Sequence, residues 1–125
     1  DTAVEELLRF EAPAKAMMRT VAEDHEHAGV EMRKGQSVFF NILAANRDGR
    51  VFDAPDDLVP DRKPKPHPTF GGGHHSCLGA ALARLEAKAT LSSLFQRFPN
   101  LRLTGDPTWR PTISDRSPKS IPLSW

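Results

Sequence analysis

The sequence predicts an α+β fold with two main helices, a small antiparallel sheet and a glycine-rich loop that carries the only cysteine. Apolar residues recur at helical spacing near the N-terminus and again after residue 77. Between residues 15 and 43, short β-prone runs are cut by glycine turns, and the segment 53–69 holds five prolines, at 55, 60, 64, 66 and 68. At 125 residues, with 38% hydrophobic and 26% charged residues, the chain is sized for one domain with a modest core. Seventeen basic residues face sixteen acidic ones, so no global charge argues for nucleic acid or an anionic membrane. A lone cysteine excludes an internal disulfide framework and fits a reducing compartment. No apolar run reaches the length of a membrane helix and the N-terminus is not signal-like, so the expected localisation is cytoplasmic.

The first helix is expected over residues 1–12, capped by Asp1 or Thr2, with Val4, Leu7 and Leu8 on one side and Pro13 ending it. Extended segments at 17–22, 30–32 and 38–43, reversed at Gly29 and Lys34-Gly35, form the small sheet. A short helix is expected within 44–52, stopped by Gly49, and the proline-rich stretch 53–69 is irregular. The ligand loop spans 70–79 and the second helix 78–97, closed by Pro99 and Asn100. Residues 101–103, 112–114 and 121–125 read as strands of terminal hairpins. The whole forms one segment, 1–125, without internal repeats.

The loop Phe70-Gly-Gly-Gly-His-His-Ser-Cys77-Leu-Gly79 is the chemically loaded part. Gly71, Gly72 and Gly73 have no side chain and can take backbone angles other residues avoid, so a flat, bulky partner can lie against the main chain. Cys77 is placed at a helix start, where unpaired N–H groups and the helix dipole favour the thiolate, the form that binds metal. The plainer reading is a buried cysteine acting as a small hydrophobe. Such a filler calls for neither three glycines nor flanking histidines. A zinc site built from His67, His74, His75 and Cys77 is a further alternative, weakened by crowding on one loop and the lack of a second cysteine.

With these residues in view, the chain resembles the C-terminal part of a cytochrome P-450, a haem-thiolate monooxygenase of the soluble bacterial kind. The family's loop pattern, Phe-x-x-Gly-x-Arg/His-x-Cys-x-Gly, is matched at Phe70, Gly73, His75, Cys77 and Gly79. A second motif, Glu-x-x-Arg, is matched at Glu6 and Arg9; alone, such a pair is usually a solvated surface contact. Arg19, the run Ala45-Asn-Arg-Asp48, Phe52, the helix Leu78–Glu86 and the ending Pro118–Trp125 extend the likeness over essentially the whole chain. One departure stands out. Where the family commonly has an Arg before a Phe, completing a network with the Glu and Arg of the first helix, this chain has Asp57-Leu58. The pair then lacks its third partner unless Arg62 substitutes.

The resemblance implies haem b (iron protoporphyrin IX) as cofactor, with Cys77 as the iron ligand. It implies the N–H groups of Leu78 and Gly79 near the sulfur, His75 and Arg19 on the haem propionates, and Phe70 against the haem face or shielding the sulfur. A core aromatic is the alternative for Phe70. His74 reads as a solvent-facing loop histidine. Residues 15–18 and 114–116 occupy family positions that can face substrate, although Met17 and Met18 also suit a core. Arg62, Lys63, Lys65 and Arg84 would form a basic proximal face for an acidic ferredoxin or flavin reductase electron donor; a solvated face is the plain reading. Family members are about three times as long, and their distal oxygen-activating and substrate elements have no counterpart here. The expectation is therefore a monooxygenase segment, or a truncated haem-binding module or non-catalytic fragment. Its uncovered surfaces would meet the missing N-terminal portion or self-associate.

Overall fold

Helix α1 runs Thr2–Phe10 in the computed structural model, which describes all residues 1–125. Asp1 stands at its N-cap without a capping hydrogen bond; its carboxylate instead meets Lys88 Nζ at 2.6 Å. The helix ends two residues before the expected boundary. Glu11 has left helical angles, and Ala12 precedes Pro13, whose ring disfavours a helical residue before it. The buried face also differs from the expected aliphatic one. It consists of Val4, Glu6 and Arg9, while Leu7 is exposed.

The expected single sheet is two separate ribbons. Strand β1 (Ala16–Thr20) and β4 (Ser37–Asn41) pair antiparallel, with Ala16 opposite Asn41 and Thr20 opposite Ser37. Between them β2 (His25–His27) and β3 (Val30–Met32) make their own hairpin. Strand β2 escapes a hydrophobicity reading because His25-Glu26-His27 is polar throughout. Its turn places both Ala28 (φ 51°) and Gly29 (φ 80°) in the left-handed region, the pattern of a two-residue hairpin loop.

The predicted helix within 44–52 begins earlier and stops sooner: α2 covers Ile42–Ala45, capped by Asn41 Oδ1 accepting from the Ala44 N–H at 3.0 Å. Residues 53–67 lack regular structure, as their prolines require. Two single 3-10 turns follow, Pro68–Phe70 and Gly73–His75, before α3 (Ala80–Arg97). Helix α3 thus begins two residues later than the apolar spacing indicates. The ending forms two short ribbons, β5 (Arg102–Leu103) with β8 (Leu123–Ser124), and β6 (Thr108–Trp109) with β7 (Pro118–Ser120). Residues 112–114 are not a strand. They lie beside 13–15 instead: the Lys15 N–H donates to Ser114 O at 2.8 Å and the Arg116 N–H to Pro13 O at 2.7 Å.

The interior is small and half polar. Val4, Ala12, Val21, Ile42 and Phe52 are its apolar members, and Glu6, Arg9, Asn46 and Thr69 are buried among them. Helix α3 buries no residue, although Leu82, Leu85 and Phe95 all stand on it exposed. Its apolar residues are spread around the whole circumference, the pattern of a helix meant to be covered on every side. The accessible surface is 9345 Å², against roughly 6,600 Å² for a compact monomer of this mass. No helix is long and apolar enough to cross a membrane.

Candidate functional site

Glu6 and Arg9, one turn apart on α1, form a bidentate pair: Arg9 Nε lies 2.7 Å from Glu6 Oε2 and Arg9 Nη2 2.8 Å from Oε1. The remaining guanidinium protons go to main-chain oxygens of distant segments, Asn46 O at 2.9 Å, Pro55 O at 2.8 Å and Asp57 O at 3.1 Å. Arg62 supplies the third partner that the Asp57-Leu58 departure removes. Its Nε sits 3.0 and 3.1 Å from the two Glu6 oxygens, and its other nitrogens donate to the carbonyls of Asp53, Ala54 and Asp57. The Val59 N–H adds a further donor to Glu6 at 2.9 Å. Burial alone would push the Glu6 carboxyl up; the hydrogen bonds from Arg9, Val59 and Arg62 outweigh it and bring it to about 2.

This hub is tied to the loop through Asn46 and Thr69. Asn46 Nδ2 donates to Arg9 O at 2.9 Å and to Thr69 Oγ1 at 2.8 Å, and the Thr69 hydroxyl donates to Leu8 O at 2.9 Å. The Thr69 proton is therefore committed, so His67 Nδ1, 2.9 Å from Thr69 Oγ1, must be the donor there. His67 is buried with its Nε2 lacking a hydrogen-bond partner, 3.3 Å from Glu5 Oε2, and burial pushes its pKa down.

The cysteine loop opens on the other side of this frame. The Cys77 N–H donates to Phe70 O at 2.8 Å, closing the loop, while the Cys77 thiol is free and exposed. Gly71, at φ 73°, is required: a β-carbon there would stand 3.1 Å from His75 O. A β-carbon on Gly79 would lie 3.8 Å from Cys77 Sγ, which places the sulfur beside the 78–79 backbone. The N–H groups of Leu78 and Gly79 serve no other backbone acceptor. Because α3 starts only at Ala80, Cys77 lies just before the helix rather than in its first turn.

Beside the loop is an open cleft of about 340 Å³ whose lining includes Met17, Arg19, Gly71, Gly72 and His75. Arg19 and His75, 56 residues apart in sequence by their numbering, thus face one space. Arg19 makes no ion pair, its Nη1 donating only to Met18 O at 2.8 Å. Met18 is exposed and Met17 half-buried, so neither is core. Phe70 is half-buried, and the Arg84 guanidinium stands 4.7 Å from its ring centroid. His74 is exposed.

Other predicted groupings come apart. His67 is held in the hub, and no three His, Cys, Asp or Glu side chains converge where a metal ion would sit, so the zinc alternative has no ligand set. Of the four basic residues assigned to a proximal face, Arg62 is enclosed on Glu6 and Arg84 is paired with Glu5 at 2.5 and 3.0 Å. Lys63 and Lys65 are exposed, Lys65 donating to Val51 O at 2.6 Å. Glu5, Asn46 and Thr69 are the structural partners a reading of motifs passes over. Thr69, one residue before Phe70, was reachable from the motif; the Glu5–Arg84 pair joins residues 79 apart and leaves no local signal.

The model of the cytochrome P450 family matches residues 1–116. The chain is 44% identical over 126 residues to the biotin biosynthesis cytochrome P450 of Bacillus subtilis (strain 168), covering 99% of this chain and 32% of that protein. It is 48% identical over 129 residues to the nocardicin C N-oxygenase of Nocardia uniformis subsp. tsuyamanensis, again covering 99% and 32%. Among solved structures, P450BioI in complex with hexadec-9Z-enoic acid ligated acyl carrier protein superposes with a TM-score of 0.95 at 43% identity, covering 99% of this chain and 32% of that one. The chain therefore spans about a third of the length of the relatives it matches. A family model that covers nearly the whole chain, together with the same backbone in solved relatives, establishes that the chain belongs to the cytochrome P450 family.

Proposed function

We propose that this chain forms the proximal side of a haem-thiolate monooxygenase site, with the Cys77 thiolate on the iron of haem b. A haem so ligated supplies reductive activation of O2, with electron density donated from the sulfur. The residues fit the group on several counts. The thiol is exposed on a glycine loop where a β-carbon on Gly72 or Gly73 would meet nothing within 4 Å, so a flat ring has room to approach. Arg19 faces the cleft with no acidic partner, and His75 shares that cleft, a pairing suited to propionates. The unused N–H groups of Leu78 and Gly79 sit beside the sulfur, where donors moderate its charge.

In this role Cys77 ligates, Gly71 to Gly73 permit close approach, and Arg19 with His75 orient the cofactor edge. Phe70 is joined to the ligand by its carbonyl, which accepts the Cys77 N–H, and in this reading its ring shields the sulfur side. Lys63 and Lys65 remain the exposed cations for an acidic ferredoxin-type or flavin-type electron donor, because Arg62 and Arg84 are neutralised internally. The single observation that carries the reading is the free Cys77 thiol on the loop bordering the Arg19–His75 cleft. Titration of the purified chain with haem tests it, followed by the spectrum of the reduced, carbon monoxide-bound form. The expected result is stoichiometric uptake with a red-shifted Soret band that Cys77→Ser abolishes; an unchanged band in Cys77→Ser overturns the assignment.

A further inference from the structure

We propose that Arg84 is a positioning residue for the cysteine loop, held by Glu5 of α1 so that its guanidinium fixes the Phe70 ring, and through it Cys77. The geometry forms one continuous string. Glu5 grips Arg84 with both carboxylate oxygens, Nε at 2.5 Å and Nη2 at 3.0 Å. Arg84 in turn lies over the Phe70 ring at 4.7 Å, and Phe70 O accepts the Cys77 N–H at 2.8 Å. Each link has a physical reason to hold. A planar guanidinium presents a fork of donors to the carboxylate while its face stays free for the ring. The hydrogen bond from Arg84 holds the Glu5 carboxyl below its ordinary range, so the clamp is charged at neutral pH.

Two adjacent residues of α1 therefore anchor opposite sides of the site. Glu6 fastens the proline-rich segment through Arg62, and Glu5 fastens α3 and the loop through Arg84. Helix α3 has few other anchors, since none of its residues is buried. The clamp assigns Arg84 an internal task in place of a docking one.

The test compares Arg84→Gln, Arg84→Lys and Glu5→Gln with the unmodified chain. Without haem, amide hydrogen exchange at Cys77 is expected to quicken about three- to tenfold in Arg84→Gln and Glu5→Gln, and to stay quickened in Arg84→Lys, whose ammonium has neither the fork nor the flat face. Exchange within α1 and across β1–β4 reports whether each variant is folded. If Arg84→Gln loses that protection, Glu5→Gln decides the question, because it leaves Arg84 in place and removes its clamp. A Cys77 amide unchanged in a folded Arg84→Gln or Glu5→Gln variant overturns the proposal, as does a Lys variant that protects the amide as well as Arg84 does. Failure of the unmodified chain to take up haem removes the haem reading while the exchange result still decides the positioning role.

Discussion

Glu6 and Cys77 are both motif residues, yet their surroundings are opposite. Glu6 is 3% exposed and receives donors from α1, the proline-rich segment and Arg62, whereas Cys77 is exposed with a free thiol. The hub around Glu6 closes on itself: the Glu6 and Arg9 side chains are matched within the chain, while Asn46 Oδ1 and His67 Nε2 are its buried atoms without a hydrogen-bond partner. The cysteine loop and α3 face outward with apolar residues uncovered. The two sides are thus built differently, and the family's cysteine motif sits on the open one.

Removing a partner from the closed side should produce the largest effect. Arg9→Ala leaves a buried carboxylate with only Arg62 and the Val59 N–H and strips donors from three main-chain oxygens. Urea unfolding should show a loss of about 3–5 kcal/mol; a loss below about 1 kcal/mol would break the contrast between the two regions. Acid provides the next test. Glu6, at about 2 against an ordinary 4.5, stabilises the folded state above pH 4.5, and on the order of 3 kcal/mol is lost as the pH falls through about 2. His67 acts in the same direction: burial lowers its folded pKa below 6.5, so stability also declines as the pH drops under that value. Melting temperatures should therefore fall steadily from pH 7 to pH 2, and Glu6→Gln should flatten the acid end of that curve.

Smaller effects sharpen the comparison from the open side. Ala28 holds a left-handed conformation that glycine adopts without strain, so Ala28→Gly should raise stability by up to about 1 kcal/mol. A destabilised hairpin would show that another contact fixes that turn. In the absence of haem, Cys77→Ser should change unfolding free energy by less than about 0.5 kcal/mol, since nothing packs on the thiol. The same substitution should abolish the thiolate spectrum of the loaded protein. A large stability loss there would mean that the loop is part of the closed core.

Much of this division was legible in the sequence, for identifiable reasons. Helix α3 followed from apolar spacing and Pro99, and the loop from its glycines and histidine–cysteine pattern. The hub's Glu6 and Arg9 were visible as a motif, but their burial was not, because a Glu and Arg three residues apart look the same on a surface. Strand β2 was missed because an exposed hairpin has no need of apolar alternation. Arg62 was recognisable only as a candidate substitute, since its partner Glu6 lies 56 residues away in sequence. The Glu5–Arg84 clamp had no signal at all: both residues sit on helices where a charged side chain is the ordinary choice.

The way Arg9 and Arg62 hold the proline-rich stretch has a further consequence, for how the chain tolerates variation. Both guanidinium groups grip carbonyl oxygens there, at Asp53, Ala54, Pro55 and Asp57, rather than side chains. A carbonyl is the same on any amino acid. The path of this stretch is therefore insulated from the identity of its residues, which accommodates Asp57-Leu58 in place of the Arg-Phe that the resemblance leads one to expect. Two arginines and one glutamate hold the constraint, and the side chains of Ala54, Pro55 and Asp57 take no part in it.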